Sequence, residues 1–161
     1  MAFKRILVPL VCSKSSTVIF KEALKLAQDN NSKLMLFHSI DWDMGEYFGS
    51  FAEIEAEVDF SSAFIQAQQE RLQMKLQESK NWLETYTEQA IVNGIPAQSK
   101  CQVGHPGSLI RDLAKDWNAD LIIMGRRGLT GLKEVFLGSV SNYILHHAPC
   151  SVLVVRGKET A

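Results

Sequence analysis

The residues best suited to chemistry lie in a glycine-rich segment from Gly125 to Ser141. Four of the chain's ten glycines fall there, namely Gly125, Gly128, Gly131 and Gly138. Glycine allows the backbone to turn sharply and to approach a ligand closely, because it has no Cβ atom. A helix is predicted to begin near Gly138, and the free N–H groups of a first helical turn carry the positive end of the helix dipole. The segment therefore predicts an anion-binding site.

Polar side chains accompany the predicted anion site. Arg126 and Arg127 supply guanidinium groups, and Ser139 and Ser141 supply hydroxyl donors suited to phosphate oxygens. Ser139 is the expected N-cap, which leaves the N–H groups near Val140 free for a ligand. The alternative is that the glycines only form a strand-to-helix loop. No G-x-G-x-x-G follows the first strand and no G-x-x-x-x-G-K-[ST] occurs, so ordinary Rossmann dehydrogenases and P-loop hydrolases are disfavoured.

Alternating strands and helices must position this segment. We predict five strands, at residues 6–11, 33–40, 97–103, 120–124 and 151–155, and all of them except 97–103 are mainly apolar runs. Helical spacing and cap residues predict helices from Ser13–Ser16 to residues 29–31, from Leu72 to residues 93–94, over residues 109–117, and from Ser139 to His147. This alternation favours an α/β, three-layer open sandwich, with a parallel sheet and helices on both faces, in a single domain over residues 1–161.

The carboxyl ends of two strands are the expected ligand positions. In open parallel sheets, ligands bind outside the carboxyl ends of the strands, where the strand order reverses. The end of the first strand, at Pro9 to Cys12, and the end of the fourth, at Met124 and Gly125, are the natural candidates.

Composition limits the partners and the compartment. A formal net charge of −1 gives no overall basic field for nucleic acid, and no apolar run approaches the ~18 residues that a membrane span requires. The three cysteines, Cys12, Cys101 and Cys150, follow no disulfide or zinc pattern. We therefore expect a cytoplasmic protein without a membrane or nucleic-acid partner.

One segment, residues 41–59, departs from the strand and helix pattern. It contains seven acidic residues and no basic one, and four aromatic side chains are interleaved with them. We interpret it as an excursion loop, either a lid or partner-docking surface, or a solvated loop that its aromatic residues pin to the body.

The sequence resembles that of the universal stress protein family. Its ATP-binding members carry Gly-x-x-Gly, nine residues, then Gly followed by Ser or Thr, and Gly125, Gly128, Gly138 and Ser139 match every fixed position. The resemblance extends over most of the chain, through KRILVPL, DLIIMG and the closing APCSVLVV. It implies a five-stranded sheet of order 3-2-1-4-5, and a stress-response regulator that binds ATP or another adenine nucleotide, with or without Mg²⁺. It also implies a homodimer whose last strands meet.

The resemblance also implies which residues form the nucleotide site. They lie at the ends of the first, second and fourth strands and in the glycine-rich segment: Pro9, Leu10, Val11, Ser39, Met124, Gly125, Arg127, Gly128, Gly138, Ser139, Val140 and Ser141. Val11 stands where the ATP-binding members usually have an acidic residue that holds the base or ribose. AMP, a cyclic nucleotide or a dinucleotide messenger is therefore an alternative ligand to ATP.

Three functions are compatible with the sequence. The first is a nucleotide-binding regulator that acts through an unknown protein partner. The second is a slow ATP hydrolase or phosphotransferase, which needs a positioned base and a metal-binding carboxylate, and the sequence has no clear candidate for either near the motif. The third is a dimeric interaction module with a vestigial pocket, which Val11 favours. Cys12 is expected at the cleft. One interpretation is a thiol whose modification blocks nucleotide binding, and the alternative is a small buried hydrophobe, as free cysteine mostly is.

Overall fold

The computed structural model describes residues 2–41, 62–126 and 138–156. Within them, five strands form one parallel sheet of order β3-β2-β1-β4-β5. The strands are β1 (Arg5–Pro9), β2 (Lys33–Ile40), β3 (Ala97–Val103), β4 (Leu121–Gly125) and β5 (Ser151–Val155). The helices are α1 (Ser15–Asn30), α2 (Ser62–Val92), α3 (Pro106–Asp116) and α4 (Ser139–His147). The expected fold class and strand order are confirmed.

Apolar side chains fill both faces of the sheet. On one face, Ile6 and Val8 of β1 pack with residues of α1 and α2 such as Phe20. On the other face, Leu7 packs with residues of α3 and α4 such as Ile144. Successive side chains of a strand point to opposite faces, so a central strand covered on both sides must be apolar at every position. This explains the continuous apolar run at the start of the sequence.

The first strand and first helix differ from the prediction at their junction. Strand β1 ends at Pro9, before the predicted Val11, and the N-cap of α1 is Lys14, which makes no side-chain capping bond. The buried hydroxyl of Ser16 instead accepts a hydrogen bond from the Val11 N–H at 3.1 Å and donates to the Val11 carbonyl. Ser16 therefore holds the end of the strand and does not cap the helix.

Two other helices begin earlier than the apolar spacing predicts. Helix α2 begins at Ser62, and its packing on the sheet uses the predicted positions Leu83 and Ala90. Helix α3 begins at Pro106, because proline is well suited to the first helical turn. Among the helices of the described residues, none is long and apolar enough to cross a bilayer.

Candidate functional site

The carboxyl ends of β1 and β4 lie side by side at the centre of the sheet. Ile6 pairs with Leu121 and Leu7 with Ile122, so both strands run toward the same edge. On one side of β1 the sheet continues to β2, and on the other side it continues through β4 to β5. The strand order therefore reverses between β1 and β4, which is where ligands bind in sheets of this kind.

The residues at the end of β1 present mainly backbone to this edge. Pro9 is half-buried and Leu10 is buried in the core, whereas the Val11 side chain is 37% exposed. The Leu10 N–H donates to the Phe37 carbonyl at 2.8 Å, and His38 Nδ1 donates to the Leu10 carbonyl at 2.8 Å. The end of β1 is thus fixed by β2, and Val11 is its accessible side chain.

The end of β2 contributes a half-buried serine and a half-buried histidine. Ser39 is the next-to-last residue of β2 and pairs in register with Gln102 of β3. The ring of His38 makes an edge-to-face contact with Trp82 of α2, with centroids 5.4 Å apart. His38 is therefore a structural histidine with a main-chain partner.

Gly125 closes β4 at a position with little room for a side chain. A Cβ atom there would overlap Cδ1 of Ile19 and lie 3.2 Å from its Cγ1, and Ile19 is itself buried on α1. Met124, the preceding residue, is buried against α3 and α4. Glycine at position 125 therefore allows α1 to pack closely against the strand end, a reason separate from ligand approach.

Helix α4 begins beside the end of β4. The buried Ser141 hydroxyl donates to the Gly125 carbonyl at 3.3 Å, which joins the first turn of the helix to the strand. The first main-chain bond of the turn runs from the Asn142 N–H to the Gly138 carbonyl at 3.0 Å. The N–H groups before Asn142 have no acceptor within the helix, and they carry its positive dipole end.

The N-cap of α4 differs from the prediction. The N-cap is Gly138, which has φ −57° and ψ 161°, and it makes no side-chain capping bond. Ser139, the predicted N-cap, is the first helical residue and is exposed, and Val140 is half-buried against the core. Because the backbone at Gly138 is extended, Gly138 is the N-cap, one residue before the predicted N-cap. The hydroxyl of Ser139 is consequently not used to cap the helix.

The remaining predicted residues lie outside the described part of the chain. They are Arg127 and Gly128 of the glycine-rich segment and, apart from Asp41, the acidic excursion at 41–59. Arg126 is described, and its N–H donates to the Val155 carbonyl at 3.1 Å, so the main chain still follows β5 there. In residues 2–41, 62–126 and 138–156, no three His, Cys, Asp or Glu side chains converge as a metal site.

The sequence did not reveal three contacts that shape the site. Ser16 holds Val11, His38 holds Leu10, and Ile19 packs on Gly125. The register of β1 on β2 places His38 beside Leu10, and no local pattern shows that pairing. A serine placed soon after the strand is a local signal for Ser16, but the same position also predicts a helix cap.

Comparison with known proteins gives a consistent family assignment. The sequence profile described as "Universal stress protein family" matches residues 2–156. Universal stress protein Sll1388 of Synechocystis sp. is 41% identical over 158 residues, which cover 97% of this chain and 99% of that protein.

Solved structures show the same fold. Universal stress protein UspA from Lactobacillus plantarum superposes with a TM-score of 0.75 at 24% identity, covering 97% of this chain and 99% of that one. A universal stress protein in complex with cAMP has a TM-score of 0.64 at 20% identity, covering 98% and 100%. A family protein from Arabidopsis thaliana with AMP bound has a TM-score of 0.63 at 17% identity, covering 97% and 93%. By its sequence and its sheet order, the chain belongs to the universal stress protein family.

Proposed function

We propose that this chain is a cytoplasmic regulatory protein of the stress response that binds an adenine nucleotide at the carboxyl ends of β1 and β4. The main observation behind the proposal is the position of the start of α4. Its free N–H groups lie at the strand-order reversal, and the hydrogen bond from the Ser141 hydroxyl to the Gly125 carbonyl joins this helix turn to β4. A helix start of this kind favours phosphate. The cAMP and AMP complexes of two structural neighbours add support for an adenine nucleotide.

The proposed site has a phosphate end and a base end. At the phosphate end, the main chain of Ser139, Val140 and Ser141 donates to phosphate oxygens, together with the glycine-rich segment. At the base end, the backbone of Pro9 and Leu10 and the side chain of Val11 contact the base or ribose. An exposed valine provides an apolar surface there and accepts no hydrogen bond from sugar hydroxyls. Because Val11 does not recognise the sugar hydroxyls, we expect the site to discriminate only weakly among ATP, AMP and cyclic nucleotides.

We further propose that the single domain forms a homodimer through β5. This strand is at the edge of the sheet, and its Leu153 side chain is 40% exposed. An uncovered apolar edge strand invites pairing with another chain, so a partner strand that covers it prevents uncontrolled association.

A direct test identifies the ligand without a prior choice of nucleotide. The protein is purified under native conditions, denatured, and the released small molecules are analysed by mass spectrometry. We expect an adenine nucleotide in near-stoichiometric amount, and calorimetric titration of stripped protein with ATP, AMP and cAMP, with and without Mg²⁺, then ranks the ligands. A stripped protein that binds none of them contradicts the proposal and favours the alternative, an interaction module with a vestigial pocket.

A further inference from the structure

Two of the three cysteines lie at the carboxyl edge of the sheet. Cys12 follows β1 in an exposed loop, and Cys101 lies on β3, in register with His38 of β2. His38 in turn bonds the Leu10 carbonyl at 2.8 Å, two residues before Cys12. A single strand, β2, therefore separates the two cysteine-bearing segments. Cys150 immediately precedes β5, at the opposite, amino edge.

The two thiols lie within electrostatic reach of each other. Burial raises the pKa of the half-buried Cys101 thiol, Lys80 lowers it, and a negative charge on Cys12 raises it further. Burial also raises the pKa of the Cys12 thiol, and Lys75 opposes that increase. Cys101 lines a groove of about 330 Å³ between α2 and β3, with the charged side chains of Lys80, Glu84 and Lys100 at its walls. Both thiols are thus reachable, one from the loop surface and one through the groove.

We propose that Cys12 and Cys101 form a reversible intramolecular disulfide when the protein meets a hydroperoxide. The more exposed Cys12 thiolate attacks one peroxide oxygen, the O–O bond breaks, and Cys12 becomes a sulfenic acid as the peroxide is reduced to water or an alcohol. The Cys101 thiolate then attacks the sulfenic sulfur, the S–S bond forms, and hydroxide leaves and takes up the thiol proton as water. Two thiols lose two electrons, and one peroxide gains them.

Closure of this bond requires movement of the loop after β1. Strands on either side of a shared neighbour are about 10 Å apart, whereas the Cα atoms of a disulfide are roughly 4.4–6.8 Å apart. The loop at Cys12 to Lys14 is exposed, and its near end is held where Ser16 bonds Val11. The disulfide therefore draws Cys12 and Ser13 toward the end of β2, while Val11 stays held by Ser16. The effect on ligand binding rests on the proposed function, because this loop borders the base end of the nucleotide site.

The first experiment needs no nucleotide. Full-length protein is treated with hydrogen peroxide, blocked with N-ethylmaleimide and analysed by intact mass and peptide mapping. We expect the loss of two hydrogen atoms, one remaining alkylated thiol at Cys150, a linked pair of peptides containing Cys12 and Cys101, and full reversal by dithiothreitol. The rate of disulfide formation should increase with pH, because the thiolate is the reactive form of cysteine. The pKa values of both thiols are raised, so below the pKa the thiolate fraction of each one increases about tenfold per pH unit.

Single substitutions provide the matched controls. Cys150→Ser removes the thiol at the opposite edge and leaves the disulfide unchanged, whereas Cys12→Ser and Cys101→Ser each abolish it. A disulfide that joins two chains, one that includes Cys150, or oxidation that stops at sulfinic acid in the wild type overturns the proposal.

The second experiment measures the affinity for AMP and ATP before and after oxidation. We expect at least a tenfold weaker affinity in the disulfide form, restored by dithiothreitol, and no change when Cys101→Ser is treated in the same way. Equal affinity in both forms overturns the coupling to the nucleotide site. If the reduced protein binds no nucleotide while the disulfide still forms, the proposed function fails and the disulfide stands.

Discussion

At the scale of single residues, Val11 determines the chemistry at the base end of the proposed site. Its side chain is 37% exposed, so Val11→Asp places a carboxylate in contact with water, and we expect the free energy of unfolding to change by less than about 0.5 kcal/mol. Hydrogen bonds from the ribose hydroxyls to that carboxylate should stabilise the complex by about 1.5–3 kcal/mol, or roughly tenfold to a hundredfold in ATP affinity. Calorimetry with ATP and 2′,3′-dideoxy-ATP measures the gain, which should appear only with ATP. Val11→Asn is the uncharged control, and an unchanged ATP affinity means that the ribose does not lie at Val11.

Ser16 tests how the end of β1 is held. Ser16→Ala removes two hydrogen bonds to Val11 from a hydroxyl that is fully buried, so we expect a loss of about 1–3 kcal/mol in the free energy of unfolding. The matched control is Ser15→Ala on the same helix, since the Ser15 hydroxyl bonds the exposed Ser13 hydroxyl at 2.6 Å. The control should stay within about 0.5 kcal/mol of the wild type. Urea denaturation of both variants makes the comparison, and equal effects argue against a special role for Ser16.

At the scale of elements, the start of α4 is the feature on which phosphate binding depends. Ser139→Pro removes one N–H donor from the first turn, and the backbone already suits proline. Position 139 is the first helical residue, and the preceding Gly138 has an extended ψ of 161°. We expect the affinity for AMP and ATP to fall by about tenfold or more, while the affinity for adenosine, which has no phosphate, is unchanged. Ser139→Ala keeps the N–H and separates its contribution from that of the hydroxyl. Parallel losses for adenosine and AMP indicate that the helix start does not bind phosphate.

At the scale of the whole molecule, the edge strand β5 determines whether two chains associate. Leu153 is 40% exposed there, whereas Val154 packs against the core, so Leu153→Lys places a charge on the free surface without disturbing the sheet. We expect a dimer for the wild type and a folded monomer for Leu153→Lys in sedimentation velocity at micromolar concentration, with circular dichroism unchanged. Val92→Lys, at a residue 86% exposed on α2, is the control and should remain dimeric. A monomeric wild type contradicts the proposed homodimer.

The fold class and most of the strand boundaries could be predicted from the residue pattern alone. Strands β2, β3 and β5 begin and end at the predicted residues. For the central strand β2 the physical reason is that a strand covered on both faces is apolar at most of its positions. The helix boundaries were less accurate, since α2 begins at Ser62 and no local signal separates its first turns from the segment before it. The glycine spacing also indicated which strand end and which helix start belong together. Family resemblance then supplied the strand order.

The contacts that hold the ends of β1 and β4 could not be predicted, because they form between parts of the chain that are far apart in the sequence. The bonds from His38 to Leu10 and from Ser16 to Val11, and the packing of Ile19 on Gly125, depend on strand register and on helix placement across the sheet. The same holds for Cys12 and Cys101, which are far apart in the sequence and lie one strand apart in the sheet. Residue types reveal which groups can react, but the distance between two such groups is set by the pairing of strands that are remote along the chain.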